Sequence, residues 1–321
     1  MTVTLQQLAY LVALADSRSF TRAAEAVGVA QPTLSRQLRV LEDELGAPLV
    51  QRGGRDGITL TAAGEVVLPL ARRMLADAES ARTGVAELIG LRRGRVRVGA
   101  TPSLCIGVLA DVLRVFHSQH PEVRLELVES GSQPLVRSLA RGELDVALVI
   151  VPTSGVDPAL HTTPLLRERL SVASPASERA PTTRGSMTVH ELARRPLVVP
   201  RQGYDVREAT LQAYADAGET PRFAVQGGEM DAVLRLVEAG TGVAVVPDLV
   251  FAGRPRLRRT VLTPALYRTV ALARRADLVP THSMRAFRDS LLSFLAELSA
   301  GAGLPGDVQV LRRPDADPPG G

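Results

Sequence analysis

The sequence predicts a mixed fold: an N-terminal all-α winged helix-turn-helix with a long linker helix behind it, then a C-terminal two-lobed α/β domain. Three observations carry this. Between Ser19 and Gly64, two helical stripes are separated by a tight turn and followed by paired glycine turn signals. From Val67 to Leu88, small and apolar residues recur at alternating steps of four and three. From Val96 onward, short apolar runs alternate with helical segments, the pattern of a parallel sheet.

Residues 3–16 form the first expected helix, with Leu5, Leu8, Leu11, Val12 and Ala15 facing inward. Ser19 is placed to cap the next helix, in which Phe20, Ala23, Ala24 and Val27 share one face. Gly28 fits the left-handed position at that helix's end. A third helix is expected from about Gln31 to Leu45, burying Leu34, Leu38, Leu41 and Leu45 as one stripe. Pro32 suits its first turn, where a missing N–H costs nothing. Its other face carries Pro32, Ser35, Arg36 and Arg39, three and four apart, with Gln31 beside them. Glutamine can pair bidentately with adenine and arginine with guanine, while serine and arginine also hold phosphates. Two helices joined by a short turn, the second one reading a major groove, form the helix-turn-helix arrangement. The competing reading is a helical hairpin with a solvated polar face. Gly53-Gly54 and Asp56-Gly57 then mark turns between short strands, a wing able to reach phosphates.

From Ala62 to Leu91 the pattern is one long helix capped by Thr61. Its seam, Val67, Ala71, Met74, Ala78, Ala81, Val85 and Leu88, suggests pairing with a second helix, and Pro69 should bend the first third. Packing against its own domain is the alternative. After a hinge-like Leu91–Arg95, strands are expected at 96–100, 123–129 and 145–151, with helices at 104–118 and 134–141. A second unit follows, with strands at 170–174, 197–200, 223–227 and 242–247 and helices near 189–194, 206–217 and 230–239. Residues 266–273 would return to the first lobe and a helix at 281–298 would close it. The expected domains are therefore 3–61, a 62–91 linker helix, and 92–300. The last has lobe 1 at about 96–164 and 266–300, and lobe 2 at about 165–265. Residues 301–321, rich in Pro, Gly and Asp, read as a disordered tail.

Composition excludes several classes. A chain of 321 residues with 45% hydrophobic content supports more than one globular core, and with 3% aromatics and no Trp those cores must be aliphatic. No run approaches the ~18 apolar residues of a membrane span. The first residues lack a signal peptide's basic region and cleavage site, so a cytoplasmic protein is expected. One cysteine, Cys105, excludes an internal disulfide, and His117 and His120 have no further ligand at metal-binding spacing. All 38 basic residues are arginine, and the net charge of +4 is compatible with nucleic acid but decides little. No phosphate loop, nucleophile elbow or dinucleotide fingerprint is found, so neither a cofactor nor catalysis is expected.

The run A-A-E-A-V-G-V-A-Q-P-T-L-S-R-Q-L (23–38), with L-E-D-E-L-G-A-P-L (41–49) and L-T-A-A-G-E (60–65), resembles the N-terminal domain of LysR-type transcriptional regulators. G-E-L-D-V-A (142–147) and E-A-G-T-G-V-A-V-V-P (238–247) resemble recurring motifs of that family's periplasmic-binding-protein-like effector domain. The resemblance spans roughly residues 3–300. It implies that Gln31, Pro32, Thr33, Ser35 and Arg36 face DNA and that Arg52 or Arg55 in the wing lies along the backbone. It also implies a homodimer or tetramer formed through the linker helix. The expected partners are a double-stranded DNA operator, a small-molecule effector and RNA polymerase, with no membrane. Ala30 departs from the family, which often has a serine cap there.

An effector site is expected where the first lobe's helices begin, at Thr101, Ser103 and Ser132, because ligands gather at the C-terminal ends of parallel strands. Across the cleft, Arg201 could clamp a carboxylate, with Gln202 and Gly228 nearby. A helix start suits an anion, which points to a small carboxylated metabolite. The alternatives are a small-molecule enzyme of similar two-lobed fold, and a redox-responsive regulator in which a helix start lowers the Cys105 pKa.

Overall fold

The computed structural model describes residues 3–52, 58–88, 94–151, 160–300 and 306–311. The chain forms two compact units, Met1–Leu91 with the Ala140–Glu143 turn, and Arg92–Leu139 with Leu144–Gly321.

In the first unit, α1 (Leu5–Ser17) opens with a reciprocal cap between Thr4 and Gln7. It buries Leu8, Leu11 and Leu14, whereas Leu5, expected inside, is 48% exposed at the first helical position. α2 (Phe20–Ala26) is capped by the Ser19 hydroxyl, and the chain turns at Gly28 with φ +69°. α3 (Gln31–Leu45) packs Leu34, Leu38 and Leu41 into the core with no exposure. β1 (Val50–Arg52) and β2 (Ile58–Leu60) pair antiparallel as the base of the wing.

α4 (Ala62–Leu88) runs unbroken through Pro69. The expected seam is divided. Ala71 is fully buried, with Val67 and Leu75 packed on the same core, because this face lies against α1's side of the unit. The exposed apolar line is instead Val66, Leu70, Met74 and Val85. Periodicity located the stripe, but could not say which residues the unit's own core would take.

The second unit has two lobes. In lobe 1, β3 (Arg95–Ala100) pairs in parallel with β4 (Arg124–Glu129) and β5 (Val146–Val151). Between β3 and β4, residues 102–119 form one helical passage: α5 (Pro102–Leu104), a π-helical stretch at Cys105–Leu109, and α6 (Ala110–Gln119). α7 (Ser132–Ala140) covers the opposite face. The continuous V-A-L-V-I-V of β5 follows from burial on both sides. Val146, Leu148 and Ile150 join the core containing α6, while Ala147 and Val149 join α7's core. A Cβ on Gly99 would come within 2.6 Å of the Leu144 side chain and 2.8 Å of that of Leu135, so a larger residue there would make both leucines shift.

β6 (Leu160–Pro175) then runs from lobe 1 into lobe 2. There, β7 (Ser186–Thr188), α8 (Val189–Ala193), β8 (Pro196–Val199), α9 (Asp205–Asp216), β9 (Arg222–Gln226), α10 (Met230–Glu238) and β10 (Ala244–Pro247) follow. β11 (Leu257–Arg275) crosses back antiparallel to β6, and α11 (His282–Ala300) closes lobe 1. Both crossing strands are far longer than expected. Their charged segments, such as R-E-R at 167–169, obscured the strand pattern. The 301–321 tail also needs correction: Val308–Val310 forms β12, antiparallel to β6, since alternate apolar Val308 and Val310 pack onto lobe 1. Residues 301–305 and 312–321 lie outside the described residues.

Candidate functional site

In the first unit, the α3 stripe that enters the core fixes what faces out. Gln31, Pro32, Thr33, Arg36 and Arg39 are exposed and Ser35 is half-buried. Ala30 sits at the cap in extended backbone, and its side chain supplies no capping bond. Two other arginines of this unit are occupied: Arg22 donates to the Ser17 carbonyl at 2.7 Å, and Arg72 pairs with Asp16. Among the described residues, no carboxylate pairs with Arg36 or Arg39.

Three contacts hold this face in register, and sequence reasoning missed them. The buried Gln7 side chain donates to Gln37 on α3 at 3.2 Å, tying α1 to the polar helix. The Glu42 carboxylate accepts the Leu49 and Val50 N–H groups at 2.8 and 3.3 Å, which fixes the entry to the wing. The Thr61 hydroxyl donates to the Pro48 carbonyl at 2.6 Å and accepts from the Gly64 N–H, closing the wing onto α4. Arg52 ends β1, and Arg55 lies outside the described residues.

In the second unit, a small cleft is lined by Thr101–Ser103 of lobe 1, Tyr204–Val206 and Met230 of lobe 2, and Arg268 on the crossing strand β11. Arg268 is buried and donates through two nitrogens to one oxygen of Glu168, at 2.9 and 2.7 Å. It also donates to the Ser103 hydroxyl at 2.9 Å. Glu168 has no exposure, and its second oxygen accepts the Leu249 N–H at 3.1 Å. The Thr101 hydroxyl is buried without a partner.

Ser132 begins α7, accepts the Ile150 N–H at 3.0 Å and donates to Asp205 of lobe 2 at 2.7 Å. The lobes meet closely here: a Cβ on Gly131 would fall 2.2 Å from the Gly203 carbonyl oxygen. Ser103 and Ser132 thus stand at lobe-facing helix starts as expected, but each hydroxyl already serves a neighbour.

Arg201, expected as a carboxylate clamp, already holds an acid of its own lobe. Its Nε donates to Glu229 at 2.8 Å, and its guanidinium lies 4.5 Å over the Tyr204 ring. Tyr204 also donates its hydroxyl to Glu229, and burial with that carboxylate raises its phenol well above the ordinary range. Glu229, the residue before α10, brings its charge beside the same turn, a proximity no local pattern reveals. Gln202 is exposed, and Gly228 offers its carbonyl to the Arg201 N–H at 3.1 Å. None of Arg201, Gln202 and Gly228 lines the cleft.

The missed residues are Arg268 and Asp205, which line the cleft, and Glu168, buried behind Arg268. A charge interrupting an otherwise apolar strand, as in L-L-R-E-R-L (165–170), was the available signal for Glu168. Asp205 gave no signal beyond an acid in a helix's first turn. Cys105 behaves oppositely to the redox expectation. Burial, then the neighbouring Glu129 charge and the thiol's hydrogen bond to it, push its pKa up to about 12. It is a protonated thiol, not an activated thiolate. Among the described residues no helix is long and apolar enough to cross a membrane.

Residues 5–65 match the family model of a bacterial regulatory helix-turn-helix protein of the lysR family, and residues 90–296 match that of the LysR substrate binding domain. The chain is 32% identical over 247 residues to a probable cat1 operon transcriptional activator of Acinetobacter lwoffii, covering 76% of this chain and 80% of the relative. It is 29% identical to the transcriptional regulator BenM of Acinetobacter baylyi, with the same coverage. Among solved structures, a full-length OxyR point variant from Pseudomonas aeruginosa superposes with TM-score 0.68 at 26% identity, covering 91% of this chain and 98% of that one. CbnR in complex with its target DNA gives TM-score 0.64 at 25% identity, covering 91% and 100%.

Proposed function

This chain belongs to the LysR family of transcriptional regulators, and from that premise we propose how its residues divide the work. It is a DNA-binding, effector-responsive regulator. Residues 3–61 bind a double-stranded operator, 62–91 link and pair subunits, and 92–300 sense the effector. On α3, Gln31 and Arg36 read base edges, while Pro32, Thr33, Ser35 and Arg39 fit the groove and its phosphates. Arg52 and Arg55 in the wing hold the backbone. Two copies pair along the exposed apolar line of α4, as a dimer or within a tetramer, and the assembly contacts RNA polymerase.

The observation that carries the DNA reading is the outward placement of Arg36 and Arg39, with no carboxylate partner among the described residues. A guanidinium without a carboxylate partner keeps its full charge for phosphate or guanine. The effector is a small carboxylated metabolite held in the cleft. The buried Thr101 hydroxyl supports that reading, with Ser103 lining the site and Ser132 bonded to Asp205 at its edge.

The test is operator binding against random DNA over a salt series. Gln31→Ala and Arg36→Ala should each lose about 1–3 kcal/mol of discrimination. Arg39→Ala should weaken all DNA alike and flatten the salt dependence. Unchanged specificity in both Gln31→Ala and Arg36→Ala would remove α3 from the groove.

A further inference from the structure

The charges lining the cleft do not balance. Among the described residues, Arg268 is its one lining guanidinium, and the buried Glu168 already neutralises it. Asp205 lines the same space, and among the described residues no arginine or histidine pairs with it. Its side-chain partner there is the Ser132 hydroxyl, which engages one oxygen. The cleft therefore presents one carboxylate whose charge is uncompensated.

An acid in the first turn of α9 is favoured by the helix dipole, and that alone would be an ordinary reason for Asp205. The dipole, however, is served equally by a side chain pointing into water. Here the carboxylate reaches across to the opposite lobe, at the same closure point where Gly131 meets Gly203. Beside it stands Thr101, 3% exposed, with a buried hydroxyl that has no partner. A buried polar group left unpaired is costly, and one lining a cleft is matched when a ligand completes it. A purely anionic ligand would meet Asp205 as a like charge, with no free cation among the described lining residues to offset it.

We propose that the effector is a small zwitterion of the α-amino acid class, whose protonated amine sits on Asp205 and whose carboxylate takes the Thr101 hydroxyl. The carboxylate half rests on the effector reading above; the amine is the new element. Asp205 is then the residue that separates amino acids from their deaminated counterparts. Lobe closure brings it to the ligand.

The experiment is isothermal titration calorimetry of the full-length chain with a panel of the standard α-amino acids. Each binder is followed by its des-amino acid and its decarboxylated amine. At least one amino acid should bind, and its des-amino analogue should bind about tenfold more weakly or worse, since a charge-assisted hydrogen bond is lost. Asp205→Asn keeps an acceptor for Ser132 and should cost the amino acid a similar factor, with a thermal midpoint near wild type showing that the variant is folded. A des-amino analogue that binds wild type as tightly as its parent overturns the amine and leaves the carboxylate reading standing. A decarboxylated amine that binds as tightly as its parent, while the des-amino acid does not, upholds the amine and overturns the carboxylate. A panel with no binder overturns both.

Discussion

Glu168 and Arg268 form a buried ion pair on the two strands that join the lobes. Removing one partner of such a pair strands a charge, which is why Ser103 and the Leu249 N–H complete it. Cys105 shows the reverse economy, a group kept neutral by its surroundings. Its thiol is raised from 9.0 to about 12 by burial first and Glu129 second. Between those values the unfolded chain has released the proton and the folded chain still holds it, so this group's contribution to stability falls as pH rises through that window. Urea midpoints measured at pH 8 and pH 10 should drop in wild type, and Cys105→Ala should show a smaller drop. Equal slopes would mean that the thiol titrates as in the unfolded chain.

At the scale of elements, α3 begins without a side-chain cap, because Ala30 occupies a position whose backbone (φ −70°, ψ 140°) already suits one. Ala30→Ser should stabilise the first unit by about 1 kcal/mol, read from its urea midpoint, with α3's outward face unchanged. No gain would show that the first-turn N–H groups are satisfied elsewhere. α4 meets two demands at once. Its Val67–Ala71–Leu75 face completes its own unit's core, and Val66, Leu70, Met74 and Val85 remain outside on a neighbouring face. A helix that must serve a core and still present an apolar line carries more hydrophobic positions than one seam explains.

Across the second unit, the C-terminal segment acts as a clasp on the crossing strands. β12 extends the sheet beside β6, and Asp307 accepts from Tyr267 at 3.0 Å and pairs with Arg169 at 3.2 Å. The Asp307 N–H donates to the buried Asp248 at 2.8 Å, and Arg259 holds the same carboxylate. Deleting residues 301–321 removes the strand and leaves Arg169 without this partner. The second unit's thermal midpoint should fall, at about 2–4 °C for each kcal/mol lost. DNA binding by α3 should persist. A midpoint equal to that of the full chain would mean that β12 adds nothing to the lobes' cohesion.

Periodicity alone determined the helices of the first unit and the outward set of α3, because a stripe such as Leu34–Leu38–Leu41 leaves its opposite face no choice. It also determined β5, whose unbroken apolar run requires cover on both sides. The helix starts at Ser103 and Ser132 were legible for the same local reason. The length of β6 and β11 was not: Arg167, Glu168, Arg169 and Arg268 disrupt the strand pattern, and only their pairing across distant segments makes it tolerable. Nor could the sequence tell that Arg201 is spent on Glu229 while Asp205 faces the cleft with no cationic partner among the described residues. Helix and strand periods are written in neighbouring residues, but the charge of a site is a sum over side chains that only the folded chain brings together.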